Sequence, residues 1–370
     1  MNRTAVVYAL VSAALFGVST PAAKVLVGSI HPAVLAGLLY GGAGIGVALL
    51  RRVRPPHLLG APEVALARTD IPWLAGAIAA GGVAGPLLLM TGLSRMDAAA
   101  ASLLLALEGA ATVLMAWFIF HESFDRRIAL GMLLLVAGAA VLSWTGAPTL
   151  DGVLGPLAIA AACIAWGLDN NLTRKVSLAD PLQIVELKGL VAAPVSIVLG
   201  LLAGAAIPDL STALIAGIVG FFGYGVSLAL FVVALRHLGT ARTGAYFSTA
   251  PFLGSAAAIA VLGEPFTVQF AIASALMAVG VWLHLTERHE HEHEHDEISH
   301  AHPHVHDEHH RHAHSALDPA GEPHTHVHVH QPLRHSHPHM PDMHHLHRHR
   351  RRWNWRGLRT RLKWLVPKKR

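Results

Sequence analysis

Residues 93–144 read LSRMDAAAASLLLALEGAATVLMAWFIFHESFDRRIALGMLLLVAGAAVLSW, and residues 235–286 read LRHLGTARTGAYFSTAPFLGSAAAIAVLGEPFTVQFAIASALMAVGVWLHLT. An ungapped shift of 142 positions aligns the two stretches and places Glu122 on Glu264 and Gly138 on Gly280. Each copy is an apolar run that ends at an acidic residue and resumes as a second apolar run. Because an internal repeat decides the architecture of a chain, we predict a duplicated membrane unit.

The composition places most of the chain in a lipid bilayer. Of the 370 residues, 53% are hydrophobic and 14% are charged, and the mean hydropathy is +0.47. A helix needs about 20 apolar residues to cross the hydrocarbon, and continuous apolar runs favour helices over the alternating strands of a barrel. The sequence predicts an all-α integral membrane protein with ten transmembrane helices, at about residues 5–27, 32–50, 72–93, 97–120, 126–145, 152–173, 181–206, 211–236, 240–262 and 267–286.

Basic residues in the connecting segments predict how the helices are oriented. They concentrate in the even-numbered loops, at Arg51, Arg52, Arg54, Arg68, Arg126, Arg127, Arg174, Lys175, Arg236 and Arg242. By the positive-inside rule, both termini and these loops are cytoplasmic, and the protein is a multi-pass protein of the cytoplasmic membrane. Because each repeat has five helices, the second copy enters the membrane from the opposite side. Inverted repeats of this kind are typical of secondary transporters.

Short motifs in both copies resemble the EamA-type drug/metabolite transporter family. These motifs are Leu-Leu-Leu-Ala-Leu-Glu-Gly at 103–109 with His121 and Glu122, Ala-Pro-Phe at 250–252 with Gly-Glu-Pro at 263–265, and Trp-Gly at 166–167 with Arg-Lys at 174–175. Two positions depart from the family pattern, because Gly109 replaces the usual proline and His121 replaces the usual glycine.

The resemblance covers about residues 5–286 and implies two five-helix EamA units, 1–145 and 146–286. It also implies secondary transport of small organic solutes, commonly amino acids and related metabolites, and often outward. The chain lacks a nucleotide-binding motif, so we expect neither ATP hydrolysis nor another enzymatic activity, and no required cofactor.

Four ionisable residues within the predicted spans need a partner or a role, because a charge inside the membrane is costly. Glu108 lies near the middle of the fourth span, where it can carry a proton, pair with a substrate amine, or make a structural hydrogen bond. Glu186 and Lys188 are two residues apart and therefore face different directions on a helix. We expect one of them to pair with Asp169. An Asp169 and Lys188 pair is either a gate or a static structural contact.

Polar and aromatic residues of the later spans complete the candidate solute path. They are Trp166 and Asn170 on the sixth span, Tyr224 on the eighth, and Tyr246, Ser248 and Thr249 on the ninth. Hydroxyl groups in membrane helices commonly form hydrogen bonds with their own helix backbone, and this alternative stays open for Ser248 and Thr249.

The composition changes abruptly after residue 286, where 23 of the 28 histidines occur. Residues 287–347 contain few apolar side chains, so we predict a disordered tail. Its alternating histidines are ligands that suit Zn, Ni, Co and Cu, which predicts metal binding along the tail. The candidate metal ligands are His289, His291, His293, His295, His302, His304, His306, His324, His326, His328, His330, His335, His337 and His339.

The final segment, 348–370, is basic and carries an apolar stripe of Trp355, Leu358, Leu362 and Leu365 at helical spacing. This pattern predicts contact with the anionic inner leaflet rather than with nucleic acid. The partners predicted from the sequence are a small-molecule solute, membrane lipid and tail-bound metal ions, and no oligomeric state is predicted.

Two functional alternatives stay open beside export of an organic solute. In the first, the protein exports a divalent metal such as Zn, Ni or Co, and the tail collects or senses the cargo. In the second, it does not transport, and serves as a membrane-bound metal sensor or scaffold.

Overall fold

The computed structural model describes residues 3–53, 65–120, 126–144, 150–176, 179–286, 289–294, 298–304, 324–330 and 334–339. Within these residues, the chain before position 287 forms helices and the connections between them. The helices of the first repeat are α1 (Arg3–Val27), α2 (Pro32–Val53), α3 (Ile71–Ala77), α4 (Gly85–Leu93), α5 (Ala98–Leu104), α6 (Leu107–Phe120) and α7 (Arg126–Leu142).

The second repeat follows the same order. Its helices are α8 (Leu150–Thr173), α9 (Pro181–Leu202), α10 (Leu210–Gly220), α11 (Ser227–Phe247), α12 (Ala250–Leu262) and α13 (Val268–Leu285). A wide π-helical turn interrupts one helix in each repeat, at Ile78–Ala84 between α3 and α4 and at Phe221–Val226 between α10 and α11. These two turns occupy equivalent positions of the duplicated sequence.

Seven described helical stretches are long and apolar enough to cross a membrane. They are Arg3–Val27, Pro32–Val53, Arg68–Leu93, Ala98–Met115, Gly152–Thr173, Pro181–Leu202 and Leu210–Ala234. The helices α7, α12 and α13 are shorter. The protein is therefore a multi-pass membrane protein, and the count of ten spans stays a prediction.

One predicted loop differs from the structure. The basic residues around position 237 suggest a connection between the eighth and ninth spans, yet α11 continues through this region to Phe247. In the first repeat, Asp97 takes an extended backbone (φ −64°, ψ 146°) and ends the connection before α5. Its equivalent is Gly239, which lies within the continuous helix α11.

Equivalent helices of the two repeats pack antiparallel to each other. Along α2 and α9, Gly44 packs against the backbone of Gly189, whereas Gly200 near the end of α9 packs against Val34 near the start of α2. Glycine at these positions lets the two backbones approach closely.

The helices α7 and α13 show the same antiparallel arrangement. Arg127 at the start of α7 donates hydrogen bonds to Thr286 (3.2 Å to its carbonyl oxygen), and Gln269 at the start of α13 donates to the carbonyl oxygen of Trp144 (2.7 Å). The two contacts involve equivalent residues, because 127 and 144 correspond to 269 and 286 in the repeat.

The first helix of each repeat packs mainly on the other repeat. The helix α1 contacts α11 and α12, and α8 contacts α4 and α6. Gly17 meets the α12 backbone at Ala250 and Gly254, and Gly167 meets the α6 backbone at Ala111 and Thr112. The centre of the protein is therefore built by helices of both repeats.

The described part of the tail contains four strands, β1 (His289–Glu294), β2 (Ile298–His304), β3 (His324–His330) and β4 (Arg334–His339). The strands pair antiparallel as β1 with β4 and β2 with β3. The disorder that the composition predicts over 287–347 stays a prediction, and the rest of that range lies outside the described residues.

Candidate functional site

A buried ion pair lies at the centre of the helical region. The Lys188 ammonium on α9 donates to both carboxylate oxygens of Asp169 on α8, at 2.6 Å each. The two side chains are only 8% and 9% exposed. The Thr173 hydroxyl, one turn from Asp169 on α8, donates a further bond of 2.8 Å to the carboxylate. This pair confirms the predicted partner of Asp169, since each of the two charges alone would be costly inside the membrane.

A glycine on the first π-helical turn makes room for this pair. A Cβ atom at Gly81 would overlap the Asp169 carboxylate. The Gly81 carbonyl oxygen accepts two side-chain hydrogen bonds, from the Tyr40 hydroxyl (2.6 Å) and from the Trp166 indole nitrogen (3.1 Å). A π-helical turn departs from the i to i−4 bonding ladder, which favours such additional bonds. Gly81 therefore links the ion pair to two aromatic side chains.

The second polar group surrounds Glu108 at the start of α6. A turn at Leu105 and Ala106 separates α5 from α6, so that Glu108 lies in the first turn of α6. The position suits a carboxylate, because helix N-termini favour negative charge. The Asn170 amide donates to the Glu108 carboxylate (2.9 Å) and to the Thr112 hydroxyl (3.2 Å).

Glu108 borders open space. Its side chain is half-buried, and Asn170 and Gly109 are exposed. A Cβ atom added at Gly109 would meet no atom within 4 Å. We call Glu108, Asn170, Asp169 and Lys188 the polar cluster, because Asn170 and Asp169 are neighbours in α8 and each bonds to one of the other two residues.

Aromatic rings from both repeats lie beside this polar cluster. Phe16 of α1 and Trp166 of α8 have ring centroids 6.3 Å apart. Tyr224 lies 5.8 Å from Phe16 and 5.5 Å from Tyr40, measured between ring centroids. The Tyr224 hydroxyl is buried beside Ser19 without a hydrogen bond of standard geometry. We call Phe16, Tyr40, Trp166 and Tyr224 the aromatic cluster.

Four sequence-predicted path residues lie apart from these groups. Glu186 pairs with Arg51 of α2, which also lies 3.4 Å from Asp180. Glu186 and Lys188 thus face different partners, as their spacing requires. Ser248 and Thr249 donate to backbone oxygens one turn earlier, at 2.6 Å each, as hydroxyls in membrane helices commonly do. Tyr246 packs near the start of α1.

Sequence reasoning missed Tyr40, Gly81, Thr112 and Thr173. A cluster of glycines at 81–85 within an apolar run was the only signal for this turn. Among the side chains that the structure describes, no three histidine, cysteine or acidic residues are close enough to share a metal ion. The tail histidines are not among those side chains, and His295 and His306 lie outside the described residues altogether.

Comparisons with known proteins agree with this architecture. An uncharacterized transporter of Methanothermobacter thermautotrophicus is 29% identical over 284 residues, which cover 72% of this chain and 82% of that protein. A protein of known crystal structure has a similar fold, with a TM-score of 0.56 and 20% identity, over 77% of this chain and 97% of the other. Residues 3–144 and 153–286 each match the EamA-like transporter family. With its two repeats matched in this way, the chain belongs to the EamA-like transporter family.

Proposed function

We propose that the protein is a secondary transporter that exports a small organic solute, such as an amino acid or a related metabolite, across the cytoplasmic membrane by alternating access. The observation that carries this proposal is the polar cluster of Glu108, Asn170, Asp169 and Lys188 beside the aromatic cluster. Both clusters lie where helices of the two repeats meet. This is the place where inverted-repeat transporters hold their solute.

The chemistry of the clusters favours a solute with an amino group. The Glu108 carboxylate can pair with an ammonium, and the nearby faces of Phe16 and Trp166 attract cations. The exposed amide of Asn170 donates to Glu108 and Thr112, and its Oδ1 atom is a hydrogen-bond acceptor at the same edge. An amino acid carries an ammonium, a carboxylate and frequently an apolar side chain, so it can use all of these groups.

The inverted arrangement of ten helices is part of the proposal. Inversion requires that equivalent helices run in opposite directions, and the antiparallel pairs α2 with α9 and α7 with α13 support it. Together with the basic loops, it leads us to propose that both termini lie in the cytoplasm.

A difference between equivalent contacts supports alternating access. The Glu264 carboxylate accepts hydrogen bonds from the first two amides of α5, at Ala98 (2.7 Å) and Ala99 (2.6 Å). The equivalent amides of the second repeat, at 240 and 241, lie within the continuous helix α11, where the helical ladder uses them. We propose that the Glu264 contact closes the outer side in this state, and that a break in α11 frees the equivalent amides in the opposite state.

The test is solute exchange in reconstituted vesicles that contain the full-length protein. We expect labelled amino acids to exchange, and we expect the Glu108→Gln variant to lose the response to an imposed pH gradient if Glu108 carries the coupling proton. Glu186→Gln is the matched control, because Glu186 pairs with Arg51 away from the cluster. Full pH sensitivity of the Glu108→Gln variant would refute proton coupling through this residue.

The same vesicles separate this function from its alternatives. Flux of Zn²⁺ without exchange of any organic solute would favour metal export, and the absence of any flux together with metal-dependent protein binding would favour a sensor. In cells, the metal-export alternative predicts that deletion of 287–347 increases sensitivity to Zn, Ni or Co.

A further inference from the structure

The four described tail strands pair as two antiparallel sheets. β1 lies opposite β4 and β2 lies opposite β3, with His289 opposite His339 and Ile298 opposite His330. The residue numbers of opposite partners have the same sum in both sheets. The two sheets therefore have the same register over the described residues, with β1 and β2 as the first arm and β3 and β4 as the second.

This register places histidine opposite histidine. Of the thirteen histidines in the four strands, twelve face another histidine, and the exception is His330. The pairs are His289 with His339, His291 with His337, His293 with His335, His300 with His328, His302 with His326, and His304 with His324. His300 belongs to this set although the sequence analysis did not select it.

Residues directly opposite each other in an antiparallel pair share a face of the sheet, with Cβ atoms about 4.5–5.5 Å apart. Residues two apart on one strand share that face about 6.5–7 Å apart. Each sheet therefore has three histidine pairs in a row on one face. We call each row a histidine ladder. The opposite face carries no histidine in either sheet.

The histidine positions change between odd and even numbers in both arms. Histidines occupy odd positions in β1 and even positions in β2, and they change from even positions in β3 to odd positions in β4. The change in the first arm lies opposite the change in the second.

We propose that the tail is a hairpin held together by divalent transition-metal ions, in which each cross-strand histidine pair supplies two imidazole ligands. Neutral imidazole suits Zn²⁺, Cu²⁺, Ni²⁺ and Co²⁺, and two neighbouring pairs supply the four ligands of a tetrahedral ion. Few apolar residues are available to stabilise the strands, so metal binding supplies the free energy that pairs them. This inference concerns the tail alone and does not depend on the proposed transport.

The test exchanges neighbouring residues without any change of composition. In the first variant, the residue pairs 299 and 300, 301 and 302, and 303 and 304 of β2 are swapped, which moves its histidines to the opposite face from those of β3. In the second variant, the pairs 324 and 325, 326 and 327, and 328 and 329 of β3 are swapped as well. Histidine then faces histidine again, now at 299 with 329, 301 with 327 and 303 with 325.

Two measurements on the full-length protein in detergent distinguish the variants. The first is hydrogen exchange of the tail amides, followed by mass spectrometry with and without Zn²⁺. The second is Zn²⁺ affinity by competition with a chromogenic chelator. We expect Zn²⁺ to slow exchange in 298–304 and 324–330 in the native chain and in the double-swap chain. In the single-swap chain we expect no slowing, and binding about tenfold weaker at this ladder, because the second ligand no longer adds to the first.

If only the composition of the tail mattered, all three chains would show the same amide protection and the same Zn²⁺ affinity, because they contain the same histidines. Equal protection and equal affinity in the single-swap and native chains would overturn the proposal. Protection of the same amides in the native chain without any metal would also overturn it, since the hairpin would then form without the ion.

Discussion

Removing one partner at a time from the buried Asp169 and Lys188 pair should strongly destabilise the helical region. Lys188→Met leaves the carboxylate with one hydrogen bond from Thr173, and Asp169→Asn leaves a buried ammonium. Both side chains are less than 10% exposed, so little solvent screening lowers the cost. Breaking such a pair costs about 3–5 kcal/mol. With about 1.4 kcal/mol per factor of ten, the open fraction rises roughly a hundredfold to a few thousandfold.

The lone cysteine of the chain provides the assay. Cys163 lies on α8 and is buried, so a thiol-reactive fluorophore labels it only after the helices around it open. When opening and closing are fast relative to labelling, we expect both single variants to label roughly a hundredfold to a few thousandfold faster than the native protein. The double variant Asp169→Asn with Lys188→Met should recover much of the loss, because no uncompensated charge remains.

Two results would contradict this reasoning. The first is a native labelling rate in both single variants, and the second is a double variant whose change in free energy equals the sum of the two single changes. Transport by the stable double variant then separates the two roles of the pair. Retained exchange indicates a static structural pair, and lost exchange with intact folding indicates a gate.

Three further predictions concern other positions. Gly81→Ala should lower the melting temperature in detergent, because its Cβ atom overlaps the Asp169 carboxylate. Gly109→Ala is the control and should leave the melting temperature unchanged, because its Cβ atom meets only open space. Glu264→Gln removes charge-assisted hydrogen bonds to the start of α5. It should therefore increase about tenfold the rate at which an impermeant maleimide labels an Ala98→Cys variant. An unchanged labelling rate would exclude a role of Glu264 in closing the outer side. Hydrogen bonds from Ser211 and Thr212 hold the pKa of the exposed Asp209 well below its usual range. Asp209→Ala should therefore lower the melting temperature above about pH 4, and the difference should vanish as pH falls through the lowered pKa; a difference independent of pH would contradict it.

The candidate site could be predicted only where a physical cost forces a contact. The cost of a bare charge in the membrane led to Asp169 and Lys188 from their positions alone. The same argument left the partner of Glu186 open, because Arg51 lies 135 residues away and on another helix. Only the packing of α2 against α9 brings those two residues together.

The contacts around Gly81 show what pattern reading cannot provide. In the sequence, nothing distinguishes Tyr40 from the apolar residues around it in α2. A π-helical turn likewise has no characteristic periodicity that a sequence pattern would show. The carbonyl that joins Tyr40 to Trp166 becomes available because the turn departs from the usual bonding ladder. The proposed metal hairpin is a similar case, because the histidines are visible in the sequence but their partners depend on strand register.

The sequence by itself determined that this protein is a duplicated helical membrane protein of a transporter family. It did so because the bilayer imposes apolar length on every span, and because a repeat is visible wherever equivalent positions keep their residue types. Only the tertiary structure decided which polar and aromatic groups meet at the centre. That depends on helix rotation and on close contacts such as that of Gly44 with Gly189, which are fixed by packing across more than a hundred residues of chain.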